Sequence, residues 1–173
     1  AVTPGSLGVH PWWLHKQAAG WEERLDARLA VTPPTVAVGE IGLDRARCGL
    51  AAFDEQRAAF LVQLRLAAKH RRACVVHCVR AQGVLLDILR AEASLPPVLV
   101  LHAYGGSVES AAELLKIPGT MVYFGISAST ARLARAASLI ASLPPSRILV
   151  ESDEHTPAEA LSAVSQSLRA GDR

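Results

Sequence analysis

The sequence predicts an α/β fold with a parallel sheet, of the TIM (β/α)₈ barrel type. Short apolar segments alternate along the 173 residues with helical segments of about 10 to 20 residues, the pattern of βαβ units. Polar residues suited to catalysis follow several apolar segments directly, as they do at the C-terminal ends of barrel strands. The sequence contains no Gly-x-Gly-x-x-Gly or Walker loop, which disfavours a nucleotide-binding doubly wound sheet.

Six strands and six helices are predicted in alternation. The apolar segments bounded by Gly, Pro or polar residues are residues 6–10, 35–40, 73–78, 97–102, 120–125 and 147–153. Apolar residues recur every three or four positions over residues 17–30, 51–71, 82–93, 108–116, 130–142 and 157–173. The pattern therefore accounts for about six of the eight strands of a barrel.

The composition indicates a compact soluble domain in a reducing compartment. Half of the residues are hydrophobic, with a mean hydropathy of +0.24. We expect no membrane span, because no apolar run is long enough, and no signal peptide, because no basic region followed by a hydrophobic one is seen. The odd number of cysteines, three, predicts no disulfide framework, and hence the cytoplasm or nucleus. Cys74 and Cys78 are expected to pack in the core. A net charge of +2 is too small to indicate nucleic-acid binding.

Four predicted strands end on an imidazole or a carboxylate, namely Glu40, His77, His102 and Asp153. Glu is rarely buried without a partner, and the glycines flanking Glu40 would let the chain turn away sharply there. A single such residue could simply reach water or cap a helix. Four such residues, at the ends of three consecutive strands and of the next strand but one, would converge on one rim of a parallel sheet, which favours a shared site. His10 ends the first strand and would line the same rim.

Two imidazoles and two carboxylates form a donor set that suits zinc, manganese, iron or a related divalent cation. Such a metal lowers the pKa of a bound water to roughly 7. A carboxylate that is not saturated by the metal could then accept the proton of that water. The sequence thus predicts metal-assisted hydrolysis of an ester or a phosphodiester.

Several motifs resemble one known family, and they follow its order from about residue 7 to residue 155. They are Gly8-Val-His10-Pro11, Gly39-Glu-Ile-Gly-Leu-Asp44, Gln56-x₃-Phe60-x₂-Gln63-Leu64-x-Leu66-Ala67, Val76-His77, Leu101-His-Ala-Tyr-Gly-Gly-Ser107 and Arg147-x-Leu-Val-Glu-Ser-Asp153. The chain resembles the TatD family of metal-dependent deoxyribonucleases. Gly-Glu-Ile-Gly-Leu-Asp followed by Gln-Leu-x-Leu-Ala is the most specific part of the match.

The resemblance implies roles for the residues at the strand ends. Glu40, His77, His102 and Asp153 fall on metal-ligand positions of the family. Asp153 would orient the metal-bound water and accept its proton, and His10 would lie near the scissile phosphate. The implied cofactors are one or two divalent ions, zinc, magnesium or manganese, and the implied substrate is DNA or another phosphodiester. No membrane partner is expected.

The sequence also departs from the family pattern. The family's His-x-His motif of the first strand is absent, so we expect one domain, residues 1–173, incomplete at its N-terminus by about two βα units. The family's arginine two residues after His77 is replaced by Val79, with Arg80 one position further. Glu151 is expected to pair with an arginine such as Arg147. The missing motif keeps an alternative open, a non-catalytic barrel that binds a protein partner.

Overall fold

The computed structural model describes residues 5–48, 51–153 and 155–171, whose six strands form one parallel sheet. The strands lie side by side in sequence order, as strands joined by helical crossovers do in a barrel. They are β1 (Ser6–Leu7), β2 (Ala37–Asp44), β3 (Cys74–Val79), β4 (Val98–Leu101), β5 (Met121–Ser127) and β6 (Ile148–Glu151). The predicted α/β class and the predicted parallel sheet are confirmed.

Helices follow the strands, and one prediction for them is wrong. The α-helices are α1 (Trp21–Val31), α2 (Phe53–Lys69), α3 (Gln82–Ala91), α4 (Val108–Leu115), α5 (Ala128–Ala131), α6 (Ala136–Ser142) and α7 (Pro157–Gly171). The single helix predicted over residues 130–142 is two helices, because Ser127 caps α5 early and the chain turns before α6. Within the described residues, none of these helices is both long and apolar enough to cross a membrane.

The core lies between the sheet and the helices, and α2 shows how it positions the site. Phe60 and Leu64 of α2 are fully buried. The same buried face carries Gln63, whose side chain satisfies both backbone groups of Val9. The Val9 amide donates to Gln63 Oε1 at 2.6 Å, and Gln63 Nε2 donates to the Val9 carbonyl at 3.1 Å. This amide clamp fixes the chain immediately before His10.

Strand β2 does not end at Glu40, as the sequence predicted, but continues to Asp44. The flanking glycines serve close approach of strands rather than a turn. A Cβ on Gly42, whose φ is +148°, would collide with the carbonyl oxygen of His77 on β3. The register between β2 and β3 shifts between Val38 and Ile41, which is where Glu40 lies. Glu40 therefore reaches the rim from an irregular part of a strand.

The two cysteines of β3 contribute to packing, as predicted. Cys74 is fully buried and Cys78 packs against the core cluster. Burial raises the pKa of both thiols, that of Cys78 to about 12. Both thiols are therefore protonated at neutral pH, which makes them poor metal ligands.

Candidate metal centre at the strand ends

Glu40 is the centre of the cluster and contacts two histidines with its two carboxylate oxygens. Oε2 lies 3.7 Å from Nε2 of His10, and Oε1 lies 3.6 Å from Nε2 of His102. The His102 Nε2 atom is also 3.6 Å from Oδ1 of Asp153. The rings of His10 and His77 pack edge to face with centroids 4.5 Å apart. The structure thus brings all five predicted site residues to one rim.

The subset with the tightest mutual spacing differs from the predicted one. One candidate ligand atom from each of His10, Glu40 and His77 lies within 4.8 Å of the others. This subset contains His10, which was expected near the scissile phosphate, and lacks two of the four expected ligands, His102 and Asp153. His102 contacts the other carboxylate oxygen of Glu40, and Asp153 contacts His102.

His10 presents an N–H group to this centre. Its Nδ1 accepts a hydrogen bond from the Trp12 amide at 3.2 Å, so the proton of the neutral ring lies on Nε2, the atom that faces Glu40. Burial, and after it the nearby His77, lower the pKa of His10 to about 4. The ring is therefore neutral at pH 7. This tautomer suits a hydrogen-bond donor better than a metal ligand.

His102 is held from its other side by Glu151. Glu151 Oε2 accepts from His102 Nδ1 at 3.2 Å and from the Ala103 amide at 2.8 Å. The hydrogen bond to Glu151 raises the pKa of His102 to about 9; burial opposes the shift, and the charges of Glu151, Glu40 and Asp153 add to it. His102 is protonated at neutral pH, and a cation at Nε2 would replace that proton.

The predicted pairing of Glu151 with Arg147 is wrong. Arg147 lies over the ring of Tyr123 and approaches the Val122 carbonyl, whereas Glu151 contacts His102. Gly125 of β5 makes room for this arrangement, because a Cβ there would overlap the Glu151 carboxylate. Both Glu151 and Asp153 contact His102, at different ring nitrogens. The sequence reasoning missed this contact of Glu151 with His102.

Asp44 is a second site residue that the sequence reasoning missed. Its carboxylate is buried and accepts from Trp12 Nε1 at 2.7 Å and from His77 Nε2 at 3.1 Å. Burial acts to raise the pKa of Asp44, but hydrogen bonds led by those from Trp12 and His77 lower it. Asp44 lies in the Gly-Glu-Ile-Gly-Leu-Asp motif, four residues after Glu40. That even spacing was the available signal for a shared face.

The donor set fits a divalent cation. Ligand atoms about 2.1 Å from a tetrahedral ion lie about 3.4 Å from each other, and Glu40 Oε1 and Asp153 Oδ1 each lie 3.6 Å from Nε2 of His102. Carboxylate oxygens and imidazole nitrogens are ligands of zinc and manganese. Two carboxylates, Glu40 and Asp153, face the same imidazole of His102. The site therefore concentrates negative charge where a cation would bind.

A cavity of about 510 Å³ lies beside the ends of β3 and β4. Two guanidinium-bearing residues, Arg80 and Arg135, line it together with Ser107 and Ser110. Arg135 donates to the Gly105 carbonyl, which fixes its position at the wall. The cavity provides positive charge and hydroxyl donors in the loops that follow His77 and His102.

The chain matches a family model described as "TatD related DNase" over residues 3–164. It is 36% identical over 154 residues to a "3′-5′ ssDNA/RNA exonuclease TatD" of Cronobacter turicensis and 32% identical over 151 residues to the Escherichia coli K12 protein of that name. Each alignment covers 86% of this chain and 56% of the relative. The chain thus spans just over half the length of these curated relatives.

Solved structures support the same fold. The crystal structure of YJJV, a TatD homolog from Escherichia coli K12, superposes with a TM-score of 0.78 at 25% identity, covering 97% of this chain and 74% of that one. A TatD family hydrolase from Entamoeba histolytica has a TM-score of 0.71 at 21% identity, covering 86% and 49%. The predicted fold class, a barrel of the metal-dependent hydrolase type, is confirmed.

Proposed function

Because this chain belongs to the TatD-related DNase family, we propose that it hydrolyses phosphodiester bonds of DNA or RNA in a metal-dependent reaction. The observation that carries the proposal is the position of Glu40, with one carboxylate oxygen toward His10 and the other toward His102. Two further polar side chains lie beside it at the rim: His77 is close to Glu40 and His10, and Asp153 contacts His102. A bridging carboxylate among imidazoles is a typical arrangement for holding one or two divalent ions.

The ligands in this proposal are Glu40, His77, His102 and Asp153. When bound, zinc, magnesium or manganese would supply Lewis-acid stabilisation of phosphoryl oxygens and lower the pKa of water. Holding the ion requires His102 to lose its Nε2 proton, since a ligating imidazole must be neutral at that nitrogen. Glu151 keeps the Nδ1 proton on the ring and so leaves Nε2 as the donor atom.

Two residues around the ion would accept the proton of the attacking water and bind the phosphate group. Asp153 lies beside His102 with a side chain that is one-third exposed, so it can accept a proton from an attacking water as a general base. His10, neutral and with its proton on Nε2, can donate to a phosphate oxygen. This role for His10 agrees with its tautomer and does not need it as a metal ligand.

The proposed substrate is a nucleic acid, and the local charge supports it better than the overall charge. The net charge of +2 gives only weak support for nucleic-acid binding, but Arg80 and Arg135 line the cavity beside the strand ends. Guanidinium groups and backbone-fixed hydroxyls bind phosphates along a strand. We place the reaction in the cytoplasm, a location supported by the three cysteine thiols, all of them free.

The experiment is metal-dependent cleavage of a labelled single-stranded DNA oligonucleotide. Asp153→Asn keeps the shape of the side chain and removes the base, so turnover should fall by about 10²-fold or more. Asp87→Asn makes the same chemical change on the exposed face of α3 and should leave turnover unchanged. Equal rates for wild type and Asp153→Asn would remove Asp153 from the reaction. A metal-loaded wild type that cleaves neither DNA nor RNA would favour a protein-binding barrel instead.

A further inference from the structure

We infer that Asp44 is a positioning residue that fixes the tautomer of His77 and so selects Nδ1 of His77 as its metal-binding atom. The inference rests on the metal site proposed above. It concerns a residue that does not touch the ion or the substrate. Its basis is the set of hydrogen bonds around one buried carboxylate.

Each oxygen of the Asp44 carboxylate has two donors. Oδ1 accepts from the backbone amides of Ala46 at 2.8 Å and Arg47 at 3.1 Å. Oδ2 accepts from Trp12 Nε1 at 2.7 Å and contacts His77 Nε2 at 3.1 Å. The side chain is only 2% exposed. An ionised carboxylate can only accept, so its contact with His77 requires the proton of the neutral ring to lie on Nε2.

The backbone of Asp44 is held as firmly as its side chain. The Asp44 amide donates to Gln56 Oε1 at 2.7 Å, and Gln56 Nε2 donates to the Asp44 carbonyl at 3.2 Å. Gln56 is fully buried in α2. Because the backbone and the side chain of Asp44 are both held by hydrogen bonds, its carboxylate cannot move with the imidazole ring. Asp44 therefore sets the orientation of the His77 ring.

A neutral imidazole with its proton on Nε2 has one free lone pair, on Nδ1. One ring nitrogen of His77 lies within 4.8 Å of candidate ligand atoms of Glu40 and His10, and Nε2 is committed to Asp44. Nδ1 is therefore the nitrogen available to a cation at Glu40. A carboxylate behind a ligating histidine also raises the basicity of the ligand, and its removal typically costs 10- to 100-fold in metal affinity.

Asp44→Asn tests this assignment because the structure dictates how the amide must lie. The Ala46 and Arg47 amides of the 3₁₀ turn require an acceptor at Oδ1, so the amide oxygen stays there. The NH₂ group then takes the place of Oδ2 and donates to His77 Nε2. This orientation leaves one donor, Trp12 Nε1, without its acceptor, whereas the opposite orientation would leave both backbone amides without theirs. His77 must accept, its proton moves to Nδ1, and the lone pair that would bind the cation is lost.

Two readouts on the metal-free full chain separate positioning from simple stabilisation. Nitrogen-15 NMR of labelled histidine should show His77 with its proton on Nε2 in wild type and on Nδ1 in Asp44→Asn. Titration with Zn²⁺ or Mn²⁺ should show about a 10- to 100-fold loss of affinity for Asp44→Asn. Trp12→Phe removes another donor to the same oxygen but keeps the carboxylate, so it should retain the wild-type tautomer and lose less than about threefold.

Wild-type protein with the His77 proton on Nδ1 would overturn the inference, whether or not the variant folds. An Asp44→Asn protein that melts at a lower temperature but keeps both tautomer and affinity would overturn it as well, leaving Asp44 a structural residue only. Wild-type protein that binds no divalent metal would contradict the proposed function itself. Normal metal binding with the wrong His77 tautomer would contradict the Asp44 inference alone.

Discussion

Glu151→Gln should lower the pKa of His102 and make the stability of the metal-free protein less dependent on pH. Glu151 is the largest cause of the rise in the pKa of His102 from 6.5 to about 9. That difference corresponds to roughly 3 kcal/mol, at 1.36 kcal/mol per pH unit, and Glu40 and Asp153 supply part of it. Gln keeps the shape and an acceptor oxygen but removes the charge, so the pKa should fall by about one to two pH units.

The pH window follows from the direction of the shift. Because the pKa of His102 in the folded state is raised above 6.5, its stabilising contribution is fully present below pH 6.5 and is lost as the pH rises through about 9. Glu151→Gln should therefore lower the free energy of unfolding by about 1 to 3 kcal/mol at pH 6 and change it only slightly at pH 10. The side chains of His102 and Glu151 are 17% and 18% exposed, so solvent screening is limited.

The assay is an NMR pH titration of His102 together with urea unfolding at pH 6 and pH 10, both on metal-free protein. Glu23→Gln, the same substitution on the exposed surface of α1, is the control and should leave the pKa of His102 unchanged. A His102 pKa that is the same in wild type and Glu151→Gln would refute the reasoning. So would an equal loss of stability at both pH values.

Three further changes test the fold and the substrate cavity. Gly42→Ala puts a Cβ against the His77 carbonyl and should destabilise the protein by at least about 2 kcal/mol in urea unfolding. Arg72→Met removes a buried guanidinium that donates to carbonyls at the end of α1, including that of Leu29, and should lower the unfolding free energy by about 2 to 4 kcal/mol. Arg80→Gln should raise KM for single-stranded DNA about 3- to 10-fold with kcat changed less than twofold in steady-state assays; an unchanged KM would remove the cavity from substrate binding.

The strand pattern and the site could be predicted together because both follow from local rules. Apolar segments bounded by Gly and Pro identify buried parallel strands, and parallel strands bring their C-terminal ends to one rim. His102 was found on this basis and directly follows β4, whereas β3 continues for two residues beyond His77, to Val79. The resemblance to the family then assigned the residues at the strand ends a common role in binding metal.

The errors arose where a role depends on distant residues. The glycines beside Glu40 suggested a turn, but Gly42 is needed because β3 passes close to it, which only the packed sheet reveals. Glu151 lies four residues after Arg147 in sequence, yet its partner His102 comes from another strand. Asp44 depends on Trp12, 32 residues away. Sequence spacing places a side chain on a face, but it does not identify its hydrogen-bond partners.

The central claim is that Glu40 anchors a divalent metal centre at the strand ends. The most direct test is a crystal structure of Mn²⁺- or Zn²⁺-soaked protein with an anomalous difference map. We predict a peak about 2.0 to 2.2 Å from a Glu40 oxygen, with His102 Nε2 or His77 Nδ1 at ligand distance. A metal-soaked crystal without a peak at Glu40, or with ions bound only elsewhere, would contradict the account.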